Sequence, residues 1–185
     1  MIIDSYLAST LLTTSFWGLL LLPTVVDKFQ LTSTNFGEGK SIPIAHSYTG
    51  VPGAQNISPA LKWFSPPAET KSFALACIDR HPIAANWVHW LIVDIPYTAN
   101  GLSEGASHTQ KLPVGSIELR NSFGTLGWGG PQPPKGSGVH QYEFVLYSLN
   151  VGKLNLSSDA SLAAFDKAVE GKVLATARLV GTYQR

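Results

Sequence analysis

Gln141-Tyr142-Glu143-Phe144-Val145-Leu146-Tyr147-Ser148-Leu149 is the most strand-like stretch of the chain. Tyr142, Phe144, Leu146 and Ser148 alternate with Glu143, Val145, Tyr147 and Leu149, so both faces of an extended segment are largely apolar. Such a strand belongs inside a sheet covered on both sides. Two further runs suit the same surroundings. Ser72 to Ile78 is continuously apolar, and Trp87 to Ile95 is rich in β-branched and aromatic residues before Pro96 stops it. Val173 to Tyr183 returns as a last strand. Earlier, Phe29 to Ser33 alternates as a half-buried strand, Ile42 to Tyr48 reads as a second strand, and Leu61 to Trp63 as a short one closed by Ser65-Pro66-Pro67. Residues 97–113 read as a long loop. Leu162, Phe165 and Val169 form one stripe of a single helix, with Ser158 or Asp159 to cap its start and Gly171 its end.

Composition bounds the rest. One domain is the natural size for 185 residues. Charged residues are 14% of the chain, below the roughly 25% of soluble proteins. That composition argues against disorder. A formal net charge of +1 lacks the basic stripe of a nucleic-acid binder. The lone Cys77 forms no internal disulfide, excludes Cys-rich zinc modules, and reads as inert core in mid-strand. With 17 Gly and 12 Pro, the chain predicts a turn-rich, mainly β fold: antiparallel sheets packed as a sandwich, one late helix and long loops.

The first 28 residues stand apart. Ser5 to Val26 carries no charge and is long enough to span a bilayer or to serve as a secretory signal core. No Lys or Arg precedes it, and no small-x-small cleavage site follows Leu22. Three readings stay open for residues 5–26: a signal, a membrane anchor, or an extension that packs on the domain or on a second copy as a homodimer. The domain proper is expected over residues 29–185, and the compartment is left open between cytoplasm and export.

Three polar residues stand at the ends of the buried runs: Asp79, His89 and His140. A carboxylate flanked by apolar strand needs a partner, and histidine is the natural one. A carboxylate beside an imidazole raises its pKa, and two imidazolium rings would attract an anion. Alternatively, each histidine satisfies a local backbone hydrogen bond. Gly127-Trp128-Gly129-Gly130-Pro131-Gln132-Pro133-Pro134-Lys135-Gly136-Ser137-Gly138 offers amides for an anion-binding nest, or else a structural Ω-loop. It lacks P-loop spacing. No metal-ligand spacing stands out around Asp79, His81, His89 and His140, so neither metal nor cofactor is expected. The tryptophans default to core, with one or two near the loops free to meet a cationic headgroup. His46, His81 and His108 are expected to face solvent.

These blocks, in this order, resemble the phosphatidylethanolamine-binding protein family in its bacterial and archaeal, Raf-kinase-inhibitor-like branch. Asn56-Ile57-Ser58-Pro59-Ala60-Leu61-Lys62-Trp63 is similar to the family's early block, and Pro67 with Lys71-Ser72-Phe73 comes next. Asp79 precedes His89 by ten residues, and Gly129 to His140 with Tyr142 is similar to the second signature. The resemblance implies antiparallel sheets with Greek-key connections, a C-terminal helical piece and a small anion pocket. It places Asp79, His89 and His140 in that pocket, with Gly130, Pro131, Pro133 and Tyr142 at or beside it; His81, Trp87 and Trp128 are its expected rim. One departure stands out. The family's Asp-Pro-Asp-Ala-Pro is here Asp79-Arg80-His81-Pro82-Ile83, so a carboxylate gives way to an imidazole. That favours the phosphate over the ethanolamine end of a headgroup. The expected function is a non-enzymatic protein that binds a small anionic or phosphorylated ligand between His89, His140 and the Gly129–Pro134 loop. Its affinity is expected to fall as pH rises through the histidine pKa values. Regulation of a kinase or protease partner rests on analogy alone. One alternative is an interaction or oligomerisation module with a vestigial pocket. Another is a hydrolase using a histidine base, for which Ser137 sits in no activating context.

Overall fold

In the computed structural model, which describes residues 28–185, strands dominate. In chain order they are β1 (Gln30–Thr32), β2 (Lys40–Ser41), β3 (Leu61–Phe64), β4 (Ser72–Asp79), β5 (Trp87–Pro96), β6 (Gly101–Leu102), β7 (Ile117–Glu118), β8 (His140–Leu149) and β9 (Val173–Tyr183), with helix α1 (Leu162–Val169) between the last two. The larger sheet runs β2-β9-β8-β4-β5-β7, and the smaller β1-β3-β6. Every pairing is antiparallel except the short parallel contact of β2 with β9. β4, β5 and β7 succeed one another across the sheet, and β8 returns to lie beside β4, which is the Greek-key order.

The alternation within β4 explains the layering. Phe73, Leu75 and Cys77 enter one core with Leu31, Leu61 and Trp63 of the smaller sheet and with Phe144 and Leu146 of β8. Ala74, Ala76 and Ile78 enter a second core with Leu91, Leu119, Leu149, Leu154, Phe165 and Val169. All eight residues of β4 are buried, as a strand covered on both faces must be.

Several boundaries differ from the expectations. Ile42 to Tyr48 is not a strand. Pro43 starts a 3-10 turn at Ile44–His46, with the His46 N–H donating to the Pro43 carbonyl at 3.0 Å. Ile42 and His46 are both buried, but Ile44, which would share their face in a strand, is 49% exposed. Within the expected loop 97–113, Gly101 and Leu102 pair with Lys62 and Leu61 as the edge strand β6. Ser161, not Ser158 or Asp159, caps α1 by accepting the Ala164 N–H. The apolar run at residues 5–26, with its readings as signal, anchor or packed extension, lies outside the described residues. Among the described residues, no helix is long and apolar enough to cross a membrane.

Helix α1 closes the second core through Phe165, which is fully buried and meets Tyr147 edge to face with ring centroids 5.7 Å apart. Phe165→Ala is expected to cost about 3–5 kcal/mol. A urea unfolding curve should show the midpoint drop with an unchanged slope.

Candidate functional site

The end of β4, the start of β5 and the start of β8 lie together at one end of the larger sheet. Register places Asp79 opposite both Trp87 and Tyr142. His140 and Tyr142 are two apart on β8 and share a face. Around them opens a cleft of about 400 Å³, lined by Asp79, Ile83, Ala84, Trp87, His89, Phe123, Gln132, Pro133, Pro134, His140 and Tyr142.

Asp79 is 4% exposed, and both its oxygens are occupied. Oδ1 accepts the His81 N–H at 2.9 Å, and Oδ2 accepts from His140 Nδ1 at 2.6 Å. The other nitrogen of His140, Nε2, lies 2.9 Å from Ser137 Oγ. The His81 ring stacks on His140, centroids 3.9 Å apart and planes 15° from parallel. His140 is therefore engaged at both nitrogens and covered on one face. Neighbouring Arg80 turns away from the cleft, to Glu143 at 2.6 Å and Asn86 at 2.9 Å.

His89 differs. Its Nδ1 bonds the Gly129 carbonyl and not Asp79. Burial pushes its pKa down to about 4, against the opposing pull of the Gly129 carbonyl and of Asp79. At neutral pH it is an uncharged imidazole, so the expected pair of imidazolium rings does not form. With Nδ1–H donating to a carbonyl, Nε2 is left as an acceptor at the cleft. Tyr142 is fully buried; its hydroxyl makes no hydrogen bond of normal geometry among the described residues, although the Asp79 carboxylate lies near enough to act on it. Burial first, and the nearby Asp79 carboxylate second, raise its pKa, so it stays a neutral donor.

The remaining expected residues divide. Pro133 and Trp87 line the cleft, Trp87 at 39% exposure. Trp128 is not at the rim. It is fully buried, donates Nε1–H to the His46 carbonyl at 3.1 Å, and packs on Trp90 and Phe144. His46 is buried too, with Nδ1 2.8 Å from the Ile57 carbonyl, contrary to the expected solvent exposure; His108 is exposed. Half-buried His81 stacks on His140 instead of facing solvent freely. The amide of Gly130 is taken by Asn56 Oδ1 at 2.8 Å, and the carbonyl of Pro131 accepts from Tyr48 N–H at 3.1 Å. The nest expected at these positions is thus satisfied by protein. Sequence reasoning missed Ile83, Phe123 and Asn56. Asn56 lay within the early block, whereas Phe123 carried no local signal, since its ring reaches the cleft only by stacking on Tyr48 at 4.0 Å. Among the described residues, no three His, Cys, Asp or Glu side chains converge on a metal position.

Comparison with known proteins points the same way. Residues 32–184 match the family model described as phosphatidylethanolamine-binding protein. A UPF0098 protein of Methanothermobacter thermautotrophicus is 42% identical over 84% of this chain and 99% of its own length. The crystal structure of Escherichia coli YbcL, described as a new member of the mammalian PEBP family, superposes with a TM-score of 0.80 at 35% identity, covering 86% of this chain and 99% of YbcL. A phosphatidylethanolamine-binding protein homolog from Chlamydia trachomatis, CT736, gives a TM-score of 0.72 at 30% identity, over 85% and 97% of the two chains.

Gly130 sits where a side chain has no room: a Cβ there would lie 1.9 Å from the His46 carbonyl oxygen. Gly130→Ala is expected to lose about 3 kcal/mol of stability, because backbone and not a flexible side chain must move. Chemical denaturation beside wild type measures it.

Proposed function

The chain belongs to the phosphatidylethanolamine-binding protein family, and from that premise we propose that its cleft binds a small oxyacid, a phosphoryl or carboxyl group, in a form that carries a proton. The observation that carries this reading is the Tyr142 hydroxyl, buried in the cleft wall near the Asp79 carboxylate but without a hydrogen bond of normal geometry. An unsatisfied buried hydroxyl costs about 1–3 kcal/mol, which a ligand oxygen would relieve. Beside it, His89 Nε2 offers a lone pair, the rings of the two residues being 4.9 Å apart. A ligand that fits both must accept one hydrogen bond and donate another. A monoprotonated phosphate ester or a carboxylic acid does so, and an unprotonated anion fits instead by accepting from both once His89 takes up a proton.

Charge supports the same conclusion. Among the described residues, no Lys or Arg lines the cleft, and Asp79, the one acid there, is already paired. A dianion would meet no fixed cation there, so neutralisation falls to a proton. An ammonium group would find no free carboxylate. The headgroup is therefore recognised by its phosphoryl end, with Ile83, Trp87, Phe123 and Pro133 providing apolar walls for the organic portion of the ligand. This is the reading of a binding protein, with the ligand held by His89 and Tyr142 and not shared equally between the two histidines.

Calorimetric titration of inorganic phosphate and of phosphoethanolamine into the full chain tests it. Free His89 titrates near pH 4, and the complex holds its proton to higher pH, so affinity is expected to rise as pH falls from 8 to 5. Two buffers of different ionisation enthalpy should report uptake of a proton on binding. Tyr142→Phe is expected to weaken binding about tenfold, one hydrogen bond's worth, while folding normally. Flat affinity across that pH range, or full affinity in Tyr142→Phe, overturns the proposal.

A further inference from the structure

Behind the cleft, Ser137, His140 and Asp79 form a continuous relay. Ser137 Oγ lies 2.9 Å from His140 Nε2, and His140 Nδ1 lies 2.6 Å from Asp79 Oδ2. Each member meets the requirement of its place. Asp79 is buried and fixed through its second oxygen by the His81 N–H. As an ionised acceptor it holds the His140 proton on Nδ1, which leaves Nε2 bare and facing the serine. His140 is 1% exposed and held flat by the His81 ring, so its orientation is set before any ligand arrives. Ser137 is only half-buried and stands between Gly136 and Gly138, both at positive φ (78° and 89°). Where the sequence offers Ser137 no activating context, the fold supplies one.

The hydroxyl has a second acceptor, the Pro134 carbonyl at 2.7 Å. One proton cannot serve both. With His140 neutral, the serine proton can point to Nε2, the arrangement of a nucleophile with its base. With His140 protonated, Nε2–H donates to Oγ and the hydroxyl turns to Pro134, which removes its base. The charged or titratable groups around His140 are Asp79 from β4, His81 from the turn after it, His89 from β5 and Tyr183 opposite on β9.

We propose that Ser137 is a nucleophile, with His140 as its general base and Asp79 as the positioning residue, and that it takes small carboxylic esters whose apolar portion rests against Pro133 and Pro134 of the cleft. Ser137 Oγ attacks the ester carbonyl carbon, and its proton passes to His140 Nε2. The bond to the alcohol oxygen breaks, and that oxygen leaves with the proton from His140. Water then attacks the acyl-serine, its proton returns through His140 to Oγ, and the carboxylic acid departs. One water is consumed, and one acid and one alcohol are released. This reaction uses Ser137, His140 and Asp79 and not the His89 and Tyr142 groups that hold the phosphoryl oxygens, so either can fail without the other although both ligands share the Pro133 wall.

The test is labelling of the full chain by diisopropyl fluorophosphate, in which Oγ bonds phosphorus as fluoride leaves with the serine proton. Peptide mass spectrometry should place one adduct on Ser137, lost in Ser137→Ala. Asp79→Asn should slow labelling by at least about a thousandfold at pH 7, since the wrong tautomer then faces the serine. In wild type the labelling rate should climb with pH and then level off, as it does when attack needs an unprotonated base. Hydrolysis of p-nitrophenyl butyrate should disappear with the same variants. Wild type that remains unlabelled, an adduct elsewhere in the chain, or labelling indifferent to Asp79→Asn in a variant that folds by circular dichroism, each overturns the assignment.

Discussion

A carboxylate buried at the end of a central strand constrains this protein more than any other single group. Asp79 closes β4, which is apolar on both faces, so no water shell and no neighbouring lysine compensates it. Such a charge persists only if every oxygen is met. Oδ1 reaches forward to the His81 amide and shapes the turn that leaves β4. Oδ2 reaches across the sheet to His140 and fixes the first residue of β8. Two loops and two strands are thereby tied to one side chain, and the cleft is the space that the tie leaves open. The adjacent Arg80 cannot share this task. Extended backbone turns it outward, and Glu143 of β8 holds it there.

The same pairing separates the two cleft histidines. His140 is engaged at both ends, carboxylate on one nitrogen and serine on the other. His89 lacks a carboxylate, and its carbonyl partner cannot offset the burial that drives it neutral. One imidazole thus becomes a fixed relay and the other a free acceptor. Residue type alone cannot tell them apart, because the difference lies in what the far nitrogen meets. The substitution of an imidazole for the family's second carboxylate acts on this relay as well. An acid at position 81 would set a second negative charge beside Asp79, whereas His81 covers His140 with a ring.

Pattern length decides how much of the fold is legible in the sequence. β4, β5, β8, β9 and α1 each carry eight or more residues of consistent burial logic, and their expected limits hold to within a residue or two. β2, β6 and β7 are two residues long, too short for any period to register. Ile42 to Tyr48 misleads because a turn anchored at both ends buries Ile42 and His46, while Pro43 looks like a strand edge. At the site, Asp79, His89, His140 and Tyr142 are visible as polar groups at the ends of apolar runs or through the resemblance. Phe123 is not, since its place depends on a loop folding over from elsewhere, and Asn56 and Ile83, though inside the quoted blocks, carry no sign of their roles there.

The Gly127–Gly138 segment shows why a motif read as one loop can serve two ends. Its first part is a buttress. Trp128 fills the core and donates to His46, while Gly129 and Gly130 bring backbone against His89 and against the His46–Tyr48 turn, closer than any side chain allows. These contacts hold the His89 tautomer and thus the acceptor that faces the cleft. The prolines after it change the direction of the chain and form the cleft wall at Pro133 and Pro134. The last part is free of such contacts: a Cβ on Gly136 or Gly138 would meet nothing, so these glycines answer to their positive φ and not to crowding. What they secure is the position of Ser137 over His140. Replacing a glycine in the buttress therefore perturbs His89 through the fold, whereas replacing one in the turn perturbs the serine and leaves the core alone.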